Sequence, residues 1–208
     1  MRKTIPARNN PALDGRWTCE ESAQVYGLRD WGKGYFKVSP QGTLQVCPTT
    51  DHERVIDLRE LVDGLQERDI GTPVLLRFPD LVQRRLQELH DAFATAIEDN
   101  EYGGDYRCVY PIKVNQQRFV CEEIRDLGGR FGFGLEAGSK PELLAVLGMT
   151  VGHNEMPIVC NGFKDREYIE AVVLATKLGR NIIPVVERFH DLVLIVEEAE
   201  RIGVRPQI

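Results

Sequence analysis

The chain has 208 residues, of which 42% are hydrophobic, and a formal net charge of −6. That size and apolar content allow one large domain or two small ones with a sizeable core. The negative charge gives no global basic field, and the sequence has no nucleic-acid-binding motif, so we expect no nucleic-acid partner. Five scattered cysteines without a C-x-x-C pair argue against a disulfide framework or zinc site and favour a reducing cytoplasm. No apolar run approaches the roughly 18 residues of a membrane helix, so we expect no membrane insertion.

The first third of the chain predicts a helix, a hairpin and a second helix. Residues 1–16 are polar and aperiodic and predict a flexible tail. Thr18 and Glu21 have the spacing of a capping box, which predicts a short helix ending near Gly27. Two alternating runs, 35–38 and 43–46, flank a glycine-containing loop and indicate a β-hairpin. A helical pattern over 55–67 completes a predicted region from 17 to 72.

From Pro73 the pattern changes to short apolar strands that alternate with amphipathic helices. Strands are predicted at 74–78, at the run that ends near Lys113, and at 131–135, 157–160 and 182–186. Helices are predicted after Pro79 and over 140–147 and 190–202, with others centred on Val120–Leu127 and Ile169–Thr176, and Val204 could begin a further strand. The strands recur at the spacing of βα units, which favours a parallel sheet.

These βα units leave two architectures open. An open, doubly wound sheet is one possibility, and a partial (β/α)8 barrel of the TIM type, with about five βα units, is the other. A closed barrel needs eight strands, more than the pattern contains, and an incomplete barrel would leave a sheet edge exposed. Composition alone favours the open sheet.

Lys113 stands where an apolar strand is predicted to end. In an α/β barrel, catalytic side chains lie at the carboxyl ends of the strands. Desolvating an ammonium is costly, so such a lysine either extends its amine to solvent, finds a partner, or reacts as an amine. We take the reactive amine as the working hypothesis.

Three motifs resolve the choice of architecture and give the lysine a role. They are Tyr110-Pro111-Ile112-Lys113-Val114-Asn115, Phe133-Gly134-Leu135-Glu136-Ala137-Gly138-Ser139-Lys140 and Val159-Cys160-Asn161-Gly162-Phe163-Lys164-Asp165-Arg166-Glu167-Tyr168-Ile169. In this order and spacing they closely resemble the biosynthetic arginine decarboxylase family, which belongs to the alanine-racemase-like barrel enzymes that use pyridoxal phosphate. The resemblance runs from about Val25 to the end. It implies a pyridoxal-phosphate barrel over 73–208, with the preceding helix and hairpin belonging to the β domain of the full-length family.

The resemblance implies a set of site residues. Lys113 would form the Schiff base with the cofactor, and Glu136 would lie near that lysine and the cofactor. Asn161 would line the site, although Asn-Gly is also an ordinary turn. Ser139 and Glu142 are possible site-lining residues, but their spacing is equally that of a helix cap, which we favour for Glu142. The scattered histidines show no metal-ligand spacing, so no metal site is predicted from them.

The resemblance also implies what the whole family does: decarboxylation of L-arginine in polyamine biosynthesis, by a homo-oligomer that shares its active sites and depends on magnesium. Family members are much longer, and their later part is expected to hold the phosphate, pair with the ring nitrogen and bind substrate. We therefore expect a chain lacking a C-terminal half, which binds cofactor poorly and is inactive alone. The alternative is a non-catalytic module that keeps the fold to bind cofactor or to pair with another chain.

Overall fold

The computed structural model of the protein describes residues 17–49, 51 and 54–208. The predicted tail over 1–16 and His52 lie outside these residues. The chain divides into two compact units, Met1–Arg84 and Arg85–Ile208. The predicted domain limits of 17–72 and 73–208 stay a prediction.

The first unit contains short helices and an antiparallel sheet. Its elements are α1 (Cys19–Val25), α2 (Leu28–Gly32), β1 (Phe36–Val38), β2 (Leu44–Val46), β3 (Ile56–Asp57) and α3 (Leu58–Gln66), followed by the start of α4 (Pro79–Asp99). The predicted capping box is confirmed, since Thr18 Oγ1 accepts the Glu21 N–H at 3.1 Å and Glu21 Oε2 accepts the Thr18 N–H at 2.7 Å. The predicted hairpin is also confirmed, with Phe36 opposite Val46.

Sequence patterns missed strand β3. Its two residues lie inside the stretch predicted as helix, and they pair antiparallel with β2. Helix α3 begins only after Asp57, whose carboxylate accepts the backbone N–H groups of Arg59 and Glu60. Asp57 is a good helix cap because its oxygen satisfies N–H groups that have no partner within the helix.

The second unit is built on a parallel sheet. Besides the rest of α4, it contains β4 (Val109–Pro111), a 3-10 turn (Ile112–Val114), α5 (Arg118–Gly128), a second 3-10 turn (Gly129–Phe131), β5 (Gly134–Ala137), α6 (Lys140–Met149), β6 (Ile158–Cys160), α7 (Arg166–Lys177), β7 (Ile182–Pro184) and α8 (Phe189–Ile202). The four strands follow the order β4-β5-β6-β7. This sequential order is that of a barrel wall and lacks the reversal that marks a doubly wound sheet.

The count of about five βα units was too high by one strand. No strand forms over 74–78; these residues alternate between half-buried and exposed, but they have no strand partner among the described residues. The side chains over 74–78 therefore alternate in burial as in a strand, but the backbone does not form the hydrogen-bonded ladder that defines one. The possible strand from Val204 is also absent. The Val204 N–H is bonded to the Ala199 carbonyl at 3.1 Å, and its side chain packs on the core shared by α7 and α8.

The core of the second unit lies between its sheet and helices α6, α7 and α8. Every residue of β5 is buried, as expected for an inner strand covered on both faces. Helices α7 and α8 share an apolar cluster formed by Ile169, Val173, Leu194 and Ile195. Among the described residues, no helix combines the length and the apolar character needed to cross a membrane.

Two glycines of this unit allow a matched test of packing. A Cβ at Gly134 would lie 1.9 Å from the Pro157 carbonyl oxygen, whereas a Cβ at Gly148, within α6, meets nothing within 4 Å. We expect Gly134→Ala to lower the free energy of unfolding by at least the ~1–3 kcal/mol of ordinary overpacking, because backbone must move. Gly148→Ala should raise it by about 0.5–1 kcal/mol. Urea unfolding of both variants measures the difference, and equal effects would contradict the described register of β5 and β6.

Candidate active site

The predicted site residues collect at the carboxyl edge of the parallel sheet. Lys113 lies in the 3-10 turn two residues after β4 ends, so the strand is shorter than predicted but still leads to the lysine. Glu136 lies within β5, opposite Pro111 of β4 and Val159 of β6. Asn161 follows β6 directly, and Ser139 lies two residues after the end of β5. Parallel strands present their carboxyl ends at one edge, which brings these separated residues together.

Lys113 and Glu136 form an ion pair in two different environments. Lys113 Nζ lies 3.6 Å from Glu136 Oε1, and the side chains are 58% and 3% exposed, respectively. Both carboxylate oxygens of Glu136 are buried without a hydrogen-bond partner in the described structure. Burying a polar group without hydrogen bonds costs free energy, and a charged group costs more. Glu136 therefore contributes a poorly satisfied acceptor pair directly beneath an accessible amine.

Gly138 lies among the charged groups of the site. A Cβ at Gly138 would lie 3.5 Å from Glu142 Oε2, 3.6 Å from Glu136 Oε1 and 3.7 Å from Lys113 Nζ. The missing side chain therefore leaves a space bounded by an amine and two carboxylates. This space and the unsatisfied carboxylate fit a group that brings an aldehyde to the lysine and hydrogen-bond donors to the acids.

Glu142 lies in the first turn of α6, beside the lysine site. Ser139 Oγ accepts the Glu142 N–H at 3.4 Å, which confirms that Ser139 caps α6. The Glu142 carboxylate turns back to accept the Gly138 N–H at 2.8 Å. It therefore helps to begin the helix and also borders the space beside Lys113. Its role toward a cofactor, like that of Ser139, stays a prediction.

Asn161 is tied to the end of β5 through its backbone. Its N–H donates to the Ala137 carbonyl at 2.9 Å. The same carbonyl accepts the hydroxyl of Tyr168 at 2.8 Å, and that hydroxyl also lies 3.4 Å from the Asn161 carbonyl. Tyr168 is fully buried, and burial raises the pKa of its hydroxyl above the ordinary value. The structure thus fixes the Asn161 backbone, whereas a site-lining role for its side chain stays a prediction.

Four residues of this edge were not predicted as functional: Gly138, Gly162, Lys164 and Glu187. The Asn-Gly pair signalled the turn at Gly162, which has a φ of +75°. Lys164 looked like any loop lysine, yet it is 1% exposed. No local pattern reveals that burial, and one contact of Lys164 comes from far along the chain, since Arg188 donates to its carbonyl.

A large cleft runs beside the lysine site. Its volume is about 820 Å³, and its lining includes Ser139 and Glu142 together with residues of α5 and α6, but neither Lys113 nor Glu136. The half-exposed Lys113 side chain thus lies outside this cleft. A cofactor bound there needs walls beyond those the cleft provides.

No group of three His, Cys, Asp or Glu side chains in the described parts of the chain could hold a metal ion. His90, interpreted from the sequence as a helix-surface residue, lies on α4 with its ring 5.0 Å from that of Phe131.

Comparison with known proteins assigns the class. Residues 80–205 match the family described as "Pyridoxal-dependent decarboxylase, pyridoxal binding domain". This match includes the sheet and the lysine edge, and the chain belongs to that family.

The chain is similar to several proteins named biosynthetic arginine decarboxylase, including one with a solved structure. The chain is 51% identical over 196 residues to the biosynthetic arginine decarboxylase of Rhodopirellula baltica, covering 94% of this chain and 29% of that protein. It is 46% identical to the biosynthetic arginine decarboxylase of Gloeobacter violaceus, covering 92% of this chain and 30% of that protein. The crystal structure of the biosynthetic arginine decarboxylase from Campylobacter jejuni aligns with a TM-score of 0.77 and 32% identity, over 88% of this chain and 30% of that one. The chain thus spans about 30% of each of these proteins.

The unsatisfied carboxylate of Glu136 leads to a stability prediction. We expect Glu136→Met to raise the free energy of unfolding of the cofactor-free protein by about 1 kcal/mol or more, because it removes a buried polar group without hydrogen bonds. Glu198 is the matched control: it is also buried, but hydrogen bonds from Arg166 and Arg201 hold its pKa below the ordinary value. Glu198→Met should destabilise. Thermal unfolding of both variants measures the two changes in stability. A Glu136→Met variant less stable than the wild type would contradict the prediction and show that the Glu136 carboxylate makes stabilising interactions.

Cys160 gives a pH-dependent prediction. Burial raises the pKa of its thiol to about 12, so alkylation at pH 9 should spare native Cys160 but modify it in denaturant. A raised folded-state pKa adds stability below the unfolded thiol pKa of about 8.5, and this contribution is lost as the pH rises toward 12. The free energy of unfolding should therefore fall over that range, and less steeply in Cys160→Ala. Mass spectrometry and unfolding at several pH values measure both, and rapid native alkylation at Cys160 would refute its burial.

Proposed function

We propose that this chain supplies the cofactor-attaching lysine of a pyridoxal-phosphate-dependent decarboxylase that converts L-arginine to agmatine and CO2. The observation that carries the proposal is the accessible Lys113 amine beside the buried, unsatisfied carboxylate of Glu136, at the carboxyl edge of a pyridoxal-binding domain. The names of the relatives support arginine as the substrate. Arginine over other basic amino acids rests on those names and on no single residue of this chain.

The cofactor and the residues Lys113 and Glu136 would have different roles in the reaction. Pyridoxal phosphate, when bound, supplies the electron-accepting ring that takes up the electrons left when a carboxyl group departs. Lys113 supplies the amine to which the cofactor aldehyde is attached. Glu136 Oε1 lies 3.6 Å from Nζ, so its negative charge can stabilise positive charge that develops at that nitrogen. Its burial strengthens this interaction, since charges interact more strongly in a low dielectric.

The neighbours of this pair keep the attachment point open and ordered. Gly138 leaves free the volume that a side chain would fill between Nζ and the two carboxylates. Glu142 holds the Gly138 N–H, so the turn after β5 stays fixed at the edge. Preorganised groups of this kind lower the cost of binding and reaction, because little rearrangement is needed.

The remaining features of the enzyme are proposed from the family. The four consecutive parallel strands support a wall of a (β/α)8 barrel. The chain spans about 30% of its relatives, so we propose that the phosphate, ring-nitrogen and substrate contacts come from sequence beyond the matched part. A homo-oligomer, magnesium dependence, a cytoplasmic location and a place in polyamine biosynthesis complete the proposal. For the 208-residue chain alone we expect weak cofactor attachment and no turnover.

Covalent trapping tests the attachment point. The 208-residue protein is incubated with pyridoxal phosphate, reduced with borohydride and digested for peptide mapping. We expect the label on Lys113, because its amine is accessible and borders the free volume at Gly138 within the matched pyridoxal-binding domain. Lys113→Ala should lose that label, whereas Lys140→Ala should keep it, since Lys140 is held by Asp165 and Glu167. A label distributed over surface lysines, or none, would favour the non-catalytic alternative.

Substrate choice is tested separately. The chain is co-expressed with the remaining sequence of the Rhodopirellula baltica relative, and CO2 release is measured from carboxyl-labelled L-arginine, L-ornithine and L-lysine. We expect release from arginine that requires Lys113. Release from another amino acid would retain the chemistry and refute the substrate, and no release despite a labelled Lys113 would leave a cofactor-binding module without the proposed activity.

A further inference from the structure

Lys164 is a buried lysine that the proposed chemistry does not use. It is 1% exposed, and its Nζ donates to the Gly162 carbonyl at 2.8 Å. Among the described residues no carboxylate forms an ion pair with it, although its charge helps to lower the pKa of the buried Asp191 carboxyl, after Arg188. Burying an ammonium without a paired carboxylate costs free energy. The hydrogen bond from Lys164 to Gly162 therefore needs a structural or functional explanation.

Gly162 is held at both of its backbone polar groups. Its carbonyl accepts the Lys164 ammonium, and its N–H donates to Glu187 Oε1 at 3.1 Å. Both groups are satisfied by charged side chains, and hydrogen bonds to charged groups are stronger than neutral ones. The two side chains thus clamp one peptide segment from opposite ends.

The clamped glycine lies directly against the turn beside Lys113. Gly162 has a φ of +75°, and a Cβ there would lie 2.3 Å from the Gly138 carbonyl oxygen. Gly138 is in turn the residue whose open side faces Lys113 Nζ, Glu136 and Glu142. A displacement of Gly162 would therefore release or push the Gly138 turn and alter the space beside the lysine.

Residues after β7 fasten the same loop a second time. Arg188 donates to the Lys164 carbonyl at 3.2 Å, and its guanidinium lies 4.3 Å from the ring centre of Phe163. Arg188 also pairs with the buried Asp191 at 2.5 Å. The loop after β6 is thus fixed to the loop after β7, which supports a shared positioning role for these segments.

We propose that Lys164 and Glu187 are positioning residues that clamp Gly162 against Gly138 and so hold the cofactor-facing turn beside Lys113. Neither is a catalytic residue, because each acts through the glycine pair. The part of this inference that concerns the cofactor rests on the proposed function, whereas the clamp itself does not.

The first measurement is hydrogen exchange of the Gly162 amide in the cofactor-free protein. Lys164→Met and Glu187→Ala should each speed this exchange by about tenfold, as expected for loss of one hydrogen bond to a charged group. Glu187→Gln keeps an oxygen acceptor and should remain near wild type. Lys177→Met is the matched control, since Lys177 also donates to a backbone carbonyl, that of Ile202, but is exposed and lies in α7.

The second measurement is the pyridoxal phosphate concentration that gives half-maximal borohydride-fixed label on Lys113. It should rise by about tenfold in Lys164→Met and Glu187→Ala and stay unchanged in Glu187→Gln and Lys177→Met. If Lys164→Met does not fold, Glu187→Ala decides the question, because Glu187 is exposed.

The outcomes separate the two proposals. Unchanged Gly162 exchange in folded Lys164→Met and Glu187→Ala overturns the clamp. Faster exchange with unchanged labelling overturns its positioning role. A wild-type protein that fixes no cofactor at Lys113 refutes the proposed function, while the exchange data still decide whether the clamp exists.

Discussion

The burial of the Glu136 carboxylate is the constraint on which this edge of the molecule depends. Glu136 forms the last pair between β4 and β5 and lies in a strand whose residues are all buried. Its nearest cationic partner is the exposed Lys113 amine. Holding the Glu136 carboxylate beside the lysine therefore lowers the stability of the fold. Such a loss of stability is typical of functional sites.

The surroundings of this pair are built from backbone as much as from side chains. Gly162 approaches the Gly138 carbonyl too closely for a Cβ at Gly162, and glutamates accept the N–H groups of both glycines. Each turn is consequently fixed by a carboxylate from later in the chain, Glu142 of α6 for Gly138 and Glu187 after β7 for Gly162. The arrangement gives a rigid edge from loops, which are otherwise the most mobile parts of a domain.

Much of this could be predicted from sequence, for reasons that differ by element. Helices with strong periodicity and caps, such as α1, were predicted correctly because their signals are local. The run over 74–78 has the pattern of a strand but lacks a pairing partner among the described residues. Val204 is hydrogen-bonded to the end of α8 and starts no strand. Strand pairing depends on the whole fold and cannot be read from a local pattern. The motifs indicated Lys113 and Glu136, but the burial of Lys164 depends on residues that follow β7 and are distant in sequence.

The strand order also bears on how the chain reaches this state. Each strand of the parallel sheet pairs with the strand that precedes it by one helix, so its contacts join segments that are close in sequence. Each pairing closes a loop of one βα unit, and the entropy cost of closing a loop grows only slowly with its length. The Lys113–Glu136 pair therefore needs only two adjacent strands, β4 and β5, whereas the contacts of Gly162 also need the segment after β7.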